Sequence, residues 1–170
     1  MTPFGFEPFG ALKALTEAGV EFVVIGGIAA RLHGSTTVTN DLDICYERSP
    51  ENLDRLASVL RNAGAKLRGV AEDVSFQVDA AALVAGDSFT FETSFGDLDV
   101  LGTPSGTRGF AELAANAVVY NLSGVEVKVA RLDDLIAMKQ AAGRPKDLIE
   151  VEVLGALREE IDEAGDELPA

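Results

Sequence analysis

The sequence predicts an α/β protein of the α+β kind, with a mixed twisted sheet flanked by helices and a helical pair at the C-terminal end. Three observations carry that expectation. Short β-branched runs such as EFVVI at 21–25 alternate with segments whose apolar residues recur at helical spacing. Two apolar runs at 118–122 and 125–130 flank Ser123-Gly124, a hairpin signal. Near the C-terminus Gly143 and Pro145 separate two helical segments.

The elements follow in order. Residues 7–18 read as a helix, with Pro8 in the first turn, Phe9, Leu12 and Leu15 on one stripe, and Gly19 as the stop. The run at 21–25 is a buried strand. Gly26-Gly27 follows at once, and 28–33 is a helix opening on that pair. Residues 34–40 form a Ser/Thr-rich loop, and 42–46 the next strand. Ser49-Pro50 opens a helix through 62, which Gly64 ends. Strands are expected at 65–70, 74–78, 89–93 and 98–101, then a loop at 102–109 and a helix at 110–116. After the hairpin come helices at 132–142 and from 145 to about 160.

The 170 residues fit a single domain, 1–160, with an acidic, frayed tail at 161–170. No run of eighteen apolar residues marks a membrane span, and the first ten residues lack the basic and apolar stretches of a secretory signal. The single cysteine, Cys45, excludes an internal disulfide and a multi-cysteine zinc site, so a cytoplasmic setting is expected. Fourteen bases against 28 acids give a net charge of -14, which argues against a nucleic-acid coat protein. The acids are unevenly placed, however. Residues 147–170 hold nine acids and one base, whereas 128–146 hold five bases and two acids. That basic stretch would guide an RNA end locally.

The chemistry concentrates in Gly26-Gly27 followed, after thirteen intervening residues, by Asp41-Leu42-Asp43. Side chains alternate along a strand, so Asp41 and Asp43 share a face. Two carboxylates on one face call for a cation, and a hard divalent ion such as magnesium fits, with substrate phosphates completing its shell. Glycines between a strand and a helix let backbone N–H groups approach an anion. Asp99, inside the run of the later strand, is a candidate third carboxylate and general base. Asp97 reads as a solvated strand-start residue. Lys139 and Lys146, where two helices meet, are placed to bind a triphosphate tail. Three further features read as structural. His33 is a lone histidine at a helix end. Cys45 shares parity with the aspartates and would border the site. The loop at 102–109 lacks the Lys-Ser/Thr ending of a P-loop and reads as a mobile surface loop, with an acceptor-gating lid as the alternative.

Together these blocks, VVIGGIAARLHG, TNDLDI, LDVLGTPSG and MKQAAGRPKDLIEVEVL, resemble the nucleotidyltransferase superfamily with the DNA-polymerase-beta-like fold. Small stand-alone bacterial members are the nearer likeness, among them toxins of the abortive-infection and mycobacterial MenT kind. The resemblance implies the minimal nucleotidyltransferase fold. It implies that Asp41, Asp43 and Asp99 bind Mg2+, or Mn2+, carrying an NTP, with Gly26 and Gly27 on its phosphates. Asp99 would activate an acceptor hydroxyl, Lys139 and Lys146 would steady the phosphates, and Asp147 would orient a lysine or a nucleotide group. The implied acceptor is RNA, tRNA in particular, with an antitoxin protein as partner. The alternatives are a small molecule such as an aminoglycoside, a protein acceptor, or an inactive relative acting as a binding module. The chain departs from the pattern twice: Gly27 stands where many toxin relatives have Ser, and Thr37 where some have Arg.

Overall fold

A computed structural model describes residues 5–167. The chain order is α1 (Pro8–Glu17), β1 (Phe22–Ile25), α2 (Gly26–Leu32), β2 (Asp41–Tyr46), α3 (Pro50–Asn62), β3 (Lys66–Leu67), α4 (Ala80–Ala85), β4 (Ser88–Thr93), β5 (Gly96–Leu101), α5 (Phe110–Asn116), β6 (Val118–Leu122), β7 (Val125–Val129), α6 (Leu132–Ala142) and α7 (Pro145–Glu167). The strands form one seven-stranded mixed sheet in the order β3-β4-β5-β2-β1-β7-β6.

The centre of the sheet is set by burial. All four residues of β1 are buried, as its continuous apolar run requires of a strand covered on both faces. It pairs antiparallel with β2 and parallel with β7. On the far side of β2, β5 runs parallel, and β4 then β3 follow antiparallel. The core comprises this strand face, Tyr46 and Phe91 among its largest fully buried side chains, and the apolar stripes of α1 and α3. Ser49 caps α3, its Oγ accepting from Asn52 N at 3.3 Å, with Pro50 in the first turn. Asn52, 2% exposed, ties the start of α3 to the sheet: Oδ1 accepts from Glu21 N at 2.7 Å, and Nδ2 donates to Glu21 O at 3.0 Å and Glu47 O at 2.7 Å.

Three expectations need correction. The strand expected at 65–70 is a two-residue edge, and 74–78 joins no strand. Phe76 there packs against Phe89 and Phe91, with ring centroids 6.0 and 6.3 Å apart. The alternating pattern thus packs half-buried Phe76 and buried Val78 against the core without ladder bonds and leaves Val74 exposed. A further helix, α4, follows at once, capped by Asp79 accepting from Ala82 N at 2.8 Å. Lastly, α7 runs to Glu167 instead of ending near 160, so most of the acidic segment is helical; 168–170 lie outside the described residues. Among the described residues no helix is long and apolar enough to cross a membrane.

Candidate active site

The turn from β1 into α2 places backbone directly against β2. Gly26 has φ +68°, a left-handed conformation that a side chain rarely adopts, and a Cβ there would lie 2.8 Å from Asp43 Cγ. A Cβ on Gly27 would lie 2.7 Å from Cβ and Oγ1 of Thr39. The two glycines are therefore required by close approach: one makes room for a carboxylate, the other for the loop leading into β2. Thr39 Oγ1 in turn donates to Asp41 Oδ1 at 3.1 Å.

The parallel pairing of β2 and β5 brings the acids together. Asp41 is opposite Asp97 and Asp43 opposite Asp99, and alternate residues of each strand share a face. One carboxylate oxygen from each of Asp41, Asp43 and Asp99 lies within 4.8 Å of the others. Three carboxylates at that spacing cannot all hold their charge without a counter-ion. Burial, then Asp41 and Asp99, push the Asp43 carboxyl up to about 8. Burial and Asp41 also raise Asp99, while Arg68 works to lower it. Arg68 donates to Asp99 Oδ1 at 2.7 Å and pairs with Asp97 Oδ2 at 3.1 Å.

The opposite wall comes from α6 and α7. Gly143, φ +65°, ends α6 in the left-handed conformation and turns the chain into α7. Arg144 precedes Pro145 at the start of α7, and Asp147, three residues on, accepts from Arg144 N at 3.2 Å, the carboxylate half of a capping box. The same fully buried carboxylate accepts from Arg144 Nε at 2.6 Å and pairs with Lys139 Nζ at 3.6 Å. Arg144 beside it, with Lys139, holds the Asp147 carboxyl below the usual range. Asp147 thus fixes the α6–α7 corner and the lysine on it.

All eight residues singled out in the sequence line one cleft of about 610 Å3: Gly26, Gly27, Asp41, Asp43 and Asp99 on the sheet side, Lys139, Lys146 and Asp147 on the helical side. Chemically, the cleft offers a cluster of oxygen donors suited to a hard cation on one wall and the lysines of the helical corner on the other. Sequence reasoning missed Thr39 and Arg68. A threonine two residues before an acid carries no distinctive signal, and Arg68 reaches Asp99 only through the pairing of three strands. Arg144 is one of the five bases at 128–146, and its contact with Asp147 emerges only from the cap of α7.

The remaining candidates are structural. His33 Nε2 donates to Ala130 O at 2.8 Å, and Tyr120 OH donates to Nδ1 at 3.0 Å, which uses both ring nitrogens away from the cleft. Cys45 does not line the cleft; it is buried with Sγ 3.5 Å from Gly102 O, and burial, with Asp87 adding, pushes its thiol up to about 12. The loop at 102–109 is tethered, since Asp87 accepts from Thr103 N at 3.1 Å and Oγ1 at 3.2 Å, and it sends Pro104 and Ser105 to the cleft edge. In the basic stretch Lys128 pairs with Glu21, Arg131 with Asp133, and Lys139 and Arg144 with Asp147. Of its five bases only Lys146 lacks an ion pair among the described residues.

No protein family and no curated protein matches the chain by sequence. Among solved structures it is similar to the lincosamide antibiotic adenylyltransferase LnuA bound to lincomycin, with a TM-score of 0.60, 13% identity, and 88% of this chain and 95% of that one covered. It is similar to ANT(2")-Ia in complex with adenylyl-2"-tobramycin, at a TM-score of 0.51 and 18% identity over 91% and 96% of the two chains. A nucleotidyltransferase-like antigenic protein from Paracoccidioides brasiliensis gives a TM-score of 0.51 at 17% identity, over 84% of this chain and 71% of that one. At these identities the likeness is one of fold, and the fold is that of nucleotidyltransferases.

Proposed function

We propose that the chain is a magnesium-dependent nucleotidyltransferase that moves an NMP from an NTP to an acceptor hydroxyl and releases pyrophosphate. The observation that carries this reading is the convergence of Asp41, Asp43 and Asp99 within 4.8 Å, against the Gly26–Gly27 backbone and across a cleft from Lys139. Three carboxylates supply the hard oxygen set that Mg2+ or Mn2+ takes, and burial, with Asp41 and Asp99 adding, raises the Asp43 carboxyl in the absence of a cation. When bound, such an ion neutralises phosphate charge and holds the α-phosphate for in-line attack.

The chain's own residues do the rest. Gly26 and Gly27 bring backbone to the phosphates. Lys139 and Lys146 face the β- and γ-phosphates, where negative charge grows as the bond from the α-phosphorus to its bridging oxygen breaks. Asp147 holds Lys139 in that position. Asp99 accepts the proton of the acceptor hydroxyl as its oxygen bonds to the α-phosphorus.

The acceptor we favour is a small hydroxylated molecule, cationic in character. The chain carries a net charge of -14, and of the five bases at 128–146 Lys128, Arg131 and Arg144 pair with acids while Lys139 and Lys146 are assigned to the nucleotide phosphates, which leaves little to guide RNA. Two of the fold neighbours hold lincomycin and adenylyl-2"-tobramycin. The RNA acceptor, tRNA above all, and the antitoxin partner have the sequence resemblance and Lys146 in their favour and form the second reading. The experiment offers purified protein and Mg2+ each α-labelled NTP with aminoglycosides and lincosamides, total RNA, or protein extract separately. Label on a drug that disappears in Asp43→Ala supports the favoured reading, and label on RNA supports the second. No label on any acceptor refutes the enzyme.

A further inference from the structure

The third acid of the cleft is gripped from outside by a residue that the reaction above does not use. Arg68 follows β3, and its N–H donates to Thr90 O at 2.9 Å, continuing the pairing of Lys66 with Glu92 and Leu67 with Phe91. Thr90 stands opposite Asp99 across β4 and β5, and Asp99 stands opposite Asp43 across β5 and β2. Directly opposed residues share a sheet face. Arg68 therefore lies at the outer end of a row whose inner end is the acidic cluster. Its guanidinium reaches along that row, with Nη2 2.7 Å from Asp99 Oδ1 and Nη1 3.1 Å from Asp97 Oδ2. The Asp99 side chain is 17% exposed and that of Arg68 31%, so the contact is partly shielded from water.

We propose that Arg68 is a positioning residue for Asp99, with Asp97 as its anchor. Asp99 is the outermost of three mutually repelling carboxylates and would swing away from Asp41 and Asp43 if untethered. Arg68 holds one oxygen on the outer side and so presents the other to the cluster. A planar guanidinium serves both acids at once, and Asp97 keeps it in place when Asp99 engages a cation. Asp97 is thereby reassigned from a solvated strand-start residue to the fixed end of the device. A lysine, a single point donor on a flexible stem, would bridge the two acids poorly.

The kinetic part of this inference rests on the nucleotidyltransferase reading; the binding part does not. Mn2+ alone is titrated calorimetrically into wild type, Arg68→Ala, Arg68→Lys and Asp97→Asn. The loss of a residue that orients a ligand is expected to weaken Mn2+ binding by about 10-fold in Arg68→Ala. Arg68→Lys and Asp97→Asn are expected to fall between that variant and wild type. In nucleotide transfer, kcat of Arg68→Ala drops by about 10–100-fold while KM for the NTP stays within about twofold. The contact is only partly shielded from water, so the melting temperature falls by less than about 4 °C. Unchanged Mn2+ affinity in Arg68→Ala overturns the proposal. Tighter binding overturns it too, because the guanidinium would then be a charge that opposes the cation. If wild type transfers no nucleotide to any acceptor, the proposed function fails, and the Mn2+ titration still decides the role of Arg68.

Discussion

Replacing Gly26 with alanine separates two effects that the turn after β1 combines. The first is conformational: φ of +68° costs an L-residue about 1–2 kcal/mol. The second is steric, because the new Cβ would sit 2.8 Å from Asp43 Cγ. Ordinary contact begins near 3.4 Å, and Asp43 Oδ2 lies nearer still than Cγ, so the carboxylate must retreat by at least about 0.6 Å. Metal–ligand distances tolerate about 0.2 Å. The displacement thus exceeds the tolerance by at least about threefold, and Mn2+ affinity should fall by at least about 10-fold. Gly64 is the control, since its φ is +65° with nothing within 4 Å of an added Cβ. Gly64→Ala should show the conformational cost alone, a melting-temperature drop of about 2–8 °C, with Mn2+ affinity unchanged. Calorimetric Mn2+ titration and thermal melts of both variants check this. Gly26→Ala binding Mn2+ as wild type does, or Gly64→Ala weakening it equally, would show that the approach of a Cβ to Asp43 does not govern the site.

Further outcomes follow from the same geometry. The metal-free folded protein keeps a proton on Asp43 up to about pH 8, against an ordinary value of 3.8, so a divalent ion must expel it. Mn2+ affinity should therefore rise with pH by up to about tenfold per unit from pH 6 and level off above about 8; a flat profile across that range counts against the coupled cluster. The sign for stability is the reverse of that for a salt-bridged aspartate. Because the folded pKa is raised, this group's contribution is full below the ordinary value and is lost as pH rises toward 8, and saturating Mn2+ should abolish the loss. Asn52→Ala strands the Glu21 N–H and two carbonyls at a site 2% exposed, so we expect a cost of about 2–3 kcal/mol and a melting-temperature drop of about 4–12 °C. Transfer per folded molecule should be unchanged, and a melting temperature within about 2 °C of wild type would show that these bonds are dispensable.

The β1–Gly26–Gly27–α2–loop–β2 unit was legible in the chain because its signals are local. A four-residue apolar run, two glycines and an Asp-x-Asp lie within some twenty residues, and each constrains its own neighbours. The α6–α7 corner was legible for the same reason, through Gly143 and Pro145. The stretch between 68 and 80 was not. There the alternation of Val74, Phe76 and Val78 carries a strand's period, yet the aromatic shelf of Phe89 and Phe91 holds Phe76 by packing alone. Period records which side chains face the core, and says nothing about whether a partner strand is in reach.

The identity of the acids, their shared face on each strand and the backbone freedom beside them are local properties of the chain, since alternation and glycine geometry need no tertiary contact. Long-range packing decided that β2 and β5 run parallel in a register that sets Asp43 beside Asp99. It also decided that Asp147 is buried as the tether of Lys139 and Arg144, and that Arg68 grips the third carboxylate across 31 residues of chain. Those are pairings between distant segments, selected by the burial of the whole sheet and not by any preference written within one segment.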